Sequence, residues 1–236
     1  MIDSDLLKRI DRGKNSQDFR FLSEKDWLDG FKEKRVLDLG CGSGLYTQYL
    51  KKLGINPIAF DINKESTKLT KDYVGKQDIF SCCGTCVELP FRKESFDLVL
   101  CIETLSHIRN EDQLFALEEI NRIIKENGIL ILSVHNATRF ALQNIVRLKK
   151  PTEIYENPGL TIYPFSLSQL KKQLVLTGFL AKKVMFINFY NSIHQRYPKI
   201  FPILSIIENI LARIPILKRV SLTIMCMLIK RKPISS

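Results

Sequence analysis

Val36-Leu-Asp-Leu-Gly-Cys-Gly-Ser-Gly44 decides how the rest of this chain is read. Val36 to Leu39 is a short apolar run with one carboxylate inside it, and glycines follow at once at 40, 42 and 44. A strand that empties into glycines lets the backbone turn tightly and approach a ligand closely. From Leu45 to Leu53 the apolar spacing returns to a helical period, so the turn opens onto a helix whose first amide groups point back at it. A dinucleotide site asks for Gly-x-Gly-x-x-Gly, and Leu45 stands where the third glycine belongs. Asp38 would also crowd a pyrophosphate, whereas it suits a ligand carrying an ammonium group.

Reading outward, Asn56 to Phe60 is a second buried-strand pattern that ends at Asp61. A carboxylate there accepts both hydroxyls of a ribose, with Ile62 beside it as an apolar wall for a base. The competing role for Asp61 is to cap the charged helix expected from about Lys64 to Tyr73. The alternation goes on: a strand near Ile79 to Cys83, a loop holding Leu89-Pro-Phe91, a strand from Phe96 to Ile102, and an amphipathic helix over Glu111 to Asn127. Gly128 is expected to end that helix with a positive φ, before an apolar strand from Ile129 to Val134. This rhythm predicts an α/β fold with a parallel sheet covered on both faces. Beyond it, the pattern gives a helix over Ser166 to Thr177, a strand over Phe179 to Phe189, an amphipathic helix over Ile203 to Ile214 and a final strand over Val220 to Lys230.

Composition bounds the reading. The 236 residues are 45% hydrophobic and 26% charged, enough for one domain with a sizeable core, and no repeat or second-domain linker stands out. The organisation expected is a single domain over 1–236: a helical lead-in over 1–33, a cofactor-binding core over 34–135, and substrate-side helices, a lid and closing strands over 136–236. No stretch reaches the roughly 18 apolar residues of a membrane span, and no secretory leader is seen, so the expected location is cytoplasmic. The net charge of +11 invites polyanions, but the lysines come as scattered pairs such as Lys51-Lys52 and Lys171-Lys172. Cys82, Cys83 and Cys86 cluster without a histidine at matching spacing, so no metal is expected.

Taken together, segment 35–44, Asp61, Cys86-Val-Glu-Leu-Pro-Phe91, Ser95-Phe-Asp-Leu-Val-Leu100 and the run from Ala116 through Ser133 resemble the class I S-adenosylmethionine-dependent methyltransferases. Within that group they are similar to the small-molecule branch that includes the quinone-biosynthesis enzymes. The resemblance implies a Rossmann-like, seven-stranded, mostly parallel sheet in the order 3-2-1-4-5-7-6, the last strand antiparallel. It implies S-adenosyl-L-methionine as cofactor and S-adenosyl-L-homocysteine as product. Position by position, it places the methionine part against Gly40, Cys41 and Gly42 with Asp38 orienting its amine. The ribose falls to Asp61, the adenine to Ile62, Thr85 and Cys86, and the sulfonium end to Cys101, Ile102 and Glu103. Thr85 departs from the family, which commonly has Asp there. Arg20 falls where some quinone methyltransferases pair an arginine with the cofactor carboxylate.

The reaction so implied is in-line methyl transfer, for which the protein mainly positions the partners and excludes water. A hydroxyl or protonated amine acceptor also needs a general base. His107, just past the fourth strand, is the first candidate and His135, at the end of the fifth, the second. The place where amine-methylating enzymes of bases or glutamine carry (Asn/Asp)-Pro-Pro-(Tyr/Phe) reads Cys101-Ile-Glu-Thr104 here, which favours a small-molecule or lipid-linked acceptor. The alternatives are an RNA methyltransferase drawn to its substrate by charge, or a non-catalytic cofactor-binding member of the fold. Phe201 to Leu217, apolar with Arg213, Lys218 and Arg219 near its end, reads either as a lid on the sheet or as a helix lying on a membrane surface.

Overall fold

The computed structural model describes residues 27–28, 30–75, 79–146, 155–157, 160–187, 210, 214 and 221–231. The strands β1 (Val36–Leu39), β2 (Pro57–Asp61), β3 (Ser81–Cys83), β4 (Phe96–Ile102), β5 (Ile124–His135), β8 (Phe179–Ile187) and β9 (Thr223–Lys230) form one sheet in the order β3-β2-β1-β4-β5-β9-β8. The first five run parallel, and β9 lies antiparallel between β5 and β8. Renumbered over the seven strands alone, this is 3-2-1-4-5-7-6, the order expected. A small hairpin, β6 (Tyr155–Asn157) with β7 (Leu160–Ile162), stands apart.

Successive strand residues point to opposite faces, and the core divides accordingly. Val36, Leu98, Leu100 and Ile131 pack on one side with Tyr46 and Leu50 of α1 (Leu45–Lys52), together with Trp27 and Leu28. Leu37, Val99, Leu130 and Leu132 pack on the other with α3 (Gln113–Ile123) and α5 (Leu167–Leu176). Asp38 shares the α1 face with Val36, which brings it under Thr47. The helix α2 (Lys64–Val74) follows β2, and α4 (Ala137–Val146) follows β5.

Two local readings are corrected. The Asn63 side chain caps α2 by accepting from the Glu65 amide, so Asp61 is not the cap and its carboxylate is spent elsewhere. The helix expected over Glu111 to Asn127 ends at Ile123, and Ile124 already pairs with Phe96. The positive φ belongs to Asn127, at 59°, and Gly128 serves a different need. A Cβ on Gly128 would stand 2.7 Å from the Ile124 side chain and 3.2 Å from the Asp97 carbonyl, so glycine is there for close packing. The helix expected over Ile203 to Ile214 and most of the lead-in over 1–33 lie outside the described residues.

Candidate active site

The C-terminal ends of the parallel strands gather the chemistry-bearing residues, as open α/β sheets do. Gly40, Gly42 and Gly44 all take positive φ (79°, 53° and 85°). Gly40 is required sterically, since a Cβ would fall 2.0 Å from the Thr104 hydroxyl oxygen, and that hydroxyl donates to the Leu39 carbonyl. The first glycine turn and the end of β4 are therefore in direct contact. Gly44 meets Thr70 of α2, whose hydroxyl donates to the Gly42 carbonyl. At Gly42, by contrast, a Cβ would meet nothing within 4 Å. A ligand can approach the backbone there.

Asp61 ties this turn to β2. One carboxylate oxygen accepts from the Gly42 amide at 2.9 Å and the other from the Asn63 amide at 2.9 Å. Each oxygen keeps a lone pair for a ligand hydroxyl. Asp38 is 2% exposed and accepts from the Thr47 hydroxyl. Burial lifts its carboxyl from 3.8 to about 6, the Asp61 charge adding to the rise and the Thr47 bond opposing it. A buried carboxylate whose hydrogen-bond donors among the described residues are the neutral hydroxyl and amide of Thr47 is short of a cation, which an ammonium group would supply. Burial first, then the Asp38 charge, pushes the Cys41 thiol upward, so it is an inert wall of the turn.

Ile62, just beyond Asp61, is 73% exposed. Thr85 and Cys86 lie in the loop after β3, where the Thr85 hydroxyl accepts from the Val87 amide and burial raises the Cys86 thiol to about 11. That loop is clamped from α3. Arg122 donates to the Leu89 and Phe91 carbonyls, and its partner Glu119 accepts from the Leu89 amide. Cys101 is 1% exposed with its thiol in the core, so what it presents to the crevice is backbone; Ile102 ends β4 on the opposite face. Arg20 lies outside the described residues. Among those residues, no group of three or more His, Cys, Asp or Glu gathers as a metal would need.

Glu103, His107 and His135 come together beside the glycine turn. The ring centroids of the two histidines are 5.9 Å apart, edge to face, and Phe140 stands against His135 at 5.7 Å. His107 is half-buried, and its Nδ1 lies 2.9 Å from the Thr161 carbonyl. That contact fixes the proton on Nδ1 and leaves Nε2 as the basic nitrogen. His135 is 8% exposed, with Nε2 at 3.9 Å from Glu103 Oε2. Sequence reasoning missed Thr47, Thr70, Thr104 and Thr223, which hold these groups. Thr47 reaches Asp38 from nine residues on in the next helix, while the other three span 28 to 120 positions, so no local spacing announces them.

The family described as a methyltransferase domain matches residues 37–132. Over residues 37–132 the chain is similar to that family. A curated relative from Methanocaldococcus jannaschii, itself uncharacterised, is 36% identical over 152 residues, 64% of this chain and 58% of its own. The ubiquinone biosynthesis O-methyltransferase of Rickettsia typhi is 32% identical over 52% of this chain and 56% of its own. The chain thus spans less than two thirds of these relatives. Among solved structures, an S-adenosylmethionine-dependent methyltransferase from Mesorhizobium loti superposes with a TM-score of 0.66 at 12% identity, covering 91% of this chain and 99% of its own. One from Methanosarcina mazei gives 0.61 at 15% identity over 85% and 93%. These likenesses carry the fold of the methyltransferase domain over the whole sheet, and the cofactor of such a domain is S-adenosylmethionine.

Proposed function

We propose that the chain transfers a methyl group from S-adenosylmethionine to a small-molecule acceptor, free or lipid-linked. The observation that carries this reading is the glycine turn itself: open at Gly42, bounded by the buried carboxylate of Asp38, tied to Asp61, and touching the end of β4 through Thr104. An adenosyl amino acid fits that donor set. Its amine answers Asp38, its carboxylate end faces the backbone of Gly40 to Gly42, its ribose answers Asp61, and Ile62, Thr85 and Cys86 border its base. When bound, it supplies a methyl group on a sulfonium whose charge disappears in the transition state.

The acceptor belongs on the far side of Ile102 and Glu103, where His107 and His135 stand. In this reading one of these imidazoles takes the proton from a hydroxyl or ammonium acceptor. The curated ubiquinone O-methyltransferase relatives support a small acceptor, as does the sequence Cys101-Ile-Glu-Thr104 at the β4 end. Exposed Ile210 and Ile214 flank Arg213 in the segment whose pattern is basic and amphipathic, which suits an acceptor presented at a lipid surface. Among the described residues no helix is long and apolar enough to cross a membrane.

Calorimetry with S-adenosylmethionine and S-adenosylhomocysteine tests the reading, followed by an acceptor screen. Asp61→Ala should weaken the cofactor by roughly 10- to 100-fold, from the 1.5–3 kcal/mol of a hydrogen bond to a charged group. Unchanged affinity would remove the ribose from Asp61.

A further inference from the structure

We propose that the outer faces of α3 and α5 form a self-association surface. A second copy of this chain docks there about a two-fold axis, with α3 of each copy lying antiparallel across α5 of the other. This pairing is independent of the methyl-transfer reading.

Both helices pack on the same face of the sheet. Ala116, Leu117, Ile120 and Ile123 of α3 and Leu170 and Leu174 of α5 are buried in one core cluster. The helices lie side by side and point the same way. At the start of α3, the Gln113 Oε1 is approached by the Gln169 and Gln173 side chains at 3.4 and 3.5 Å. Past the end of α5, a Cβ on Gly178 would stand 3.5 Å from the side chain of Asn121, near the end of α3. Residues 115–118 are thereby level with the second half of α5.

At 3.6 residues per turn, burying 113, 116, 117 and 120 turns 115 and 118 outward, and burying 170 and 174 turns 171, 172, 175 and 176 outward. The exposures agree: 57% for Phe115, 68% for Val175 and 63% for Leu176, with Glu118, Lys171 and Lys172 exposed as well. Single exposed apolar residues are ordinary on a monomer, but three large ones level with one another on adjoining helices make a patch.

The charges divide between the two helices. The α5 sequence holds Lys171 and Lys172 and no acid. On α3, Glu119 and Arg122 satisfy each other at 2.6 Å, and before the helix Glu111 pairs with Arg109 at 3.3 Å. Among the described residues, no ion pair takes up the charge of Glu118, Lys171 or Lys172. The surface thus sets an acid and an aromatic ring beside two bases and two aliphatic side chains. A patch of one sign would call for a different molecule of the other sign, whereas one carrying both signs side by side complements itself after a half turn. That rotation reverses the helix direction. Phe115 then meets Val175 and Leu176 of the second copy, and Glu118 meets Lys171 and Lys172.

Two helices a side make an interface at the small end of the stable range, so a dimer with a dissociation constant on the order of 10 µM is expected. Sedimentation velocity of the chain, from roughly tenfold below to tenfold above that value, reads the equilibrium. Phe115→Ser should weaken the dimer about tenfold or more, as loss of a central aromatic anchor does. Glu118→Lys alone, or Lys171→Glu with Lys172→Glu, should each weaken it about tenfold, because like charges then meet at both crossings. Mixing these two variants should recover the wild-type constant, since every crossing of the mixed pair is again of opposite sign. All the substituted residues are exposed, and circular dichroism checks that each variant folds; if Phe115→Ser does not, the charge-swapped mixture decides. A chain that stays monomeric across the range overturns the proposal, as does a dimer indifferent to these substitutions or one that the mixture does not recover. Co-sedimentation with phosphatidylglycerol vesicles covers the other occupant. Monomers held on the vesicles, and released by Lys171→Glu with Lys172→Glu, would give the patch to an anionic lipid surface and overturn the dimer.

Discussion

Asp38 shows at the scale of one residue what burying a carboxylate costs the fold. Its carboxyl sits at about 6 in the fold against 3.8 outside it, with burial as the main cause. The folded protein therefore holds a proton that the unfolded chain has lost, and stability falls as pH rises from about 4 to about 6. A rise of that size amounts to at most about 3 kcal/mol, complete above pH 6. Asp38→Asn keeps an acceptor for the Thr47 hydroxyl and removes the titration. Thermal unfolding between pH 4 and pH 7 should lose this downward slope, and the variant should melt higher than wild type at pH 7. The same variant should bind S-adenosylmethionine more weakly at pH 7, and wild-type affinity should itself decline below pH 6 as Asp38 takes up its proton. A variant no more stable than wild type at pH 7 would contradict the raised carboxyl.

At the scale of elements, the clamp between α3 and the loop over Leu89 to Phe91 holds the segment that borders the base in the proposed reading. Arg122 reaches two carbonyls of that loop while Glu119 takes its amide, and Phe91 stacks edge-on against both Phe60 and Phe96. Arg122→Ala should cost about 1–2 kcal/mol, because these groups are only partly buried. That is roughly 2–8 °C in melting temperature for a chain of this size, with faster hydrogen exchange at the Leu89 amide. The loop's apolar residues were legible in the sequence; the arginine holding them was not, since it pairs across some thirty positions. The β1 turn and the strand alternation were readable because tight glycine geometry and buried parallel strands leave local signatures. The α3–β5 junction misled for a physical reason. Leu117, Ile120, Ile123 and Ile124 keep a helical spacing, and Lys125-Glu-Asn-Gly128 is polar enough to continue a helix, yet Ile124 is captured by Phe96 as a strand. The tie between Glu103 and Thr223 was not legible, since it spans 120 positions and exists only once β9 is inserted beside β5.

At the scale of the molecule, a two-faced sheet presents one edge on which turn, acid and imidazoles converge, and cofactor binding should stabilise the whole. S-adenosylhomocysteine at about 100 times its dissociation constant should add about 2.7 kcal/mol, seen as a rise of roughly 5–11 °C in melting temperature at 2–4 °C per kcal/mol. Asp61→Ala should lose most of that rise at the same concentration. The three glycines of the turn are then not equivalent. Those at 40 and 44 are shut in by threonines and belong to folding; the one at 42 faces empty space. Gly42→Ala would accept about 1–2 kcal/mol of backbone strain and still assemble the sheet, while its methyl group stands where the amino-acid end of the donor would lie. Circular dichroism should find that protein folded and calorimetry should find it deaf to S-adenosylhomocysteine, giving an intact scaffold with its chemistry switched off by a single carbon.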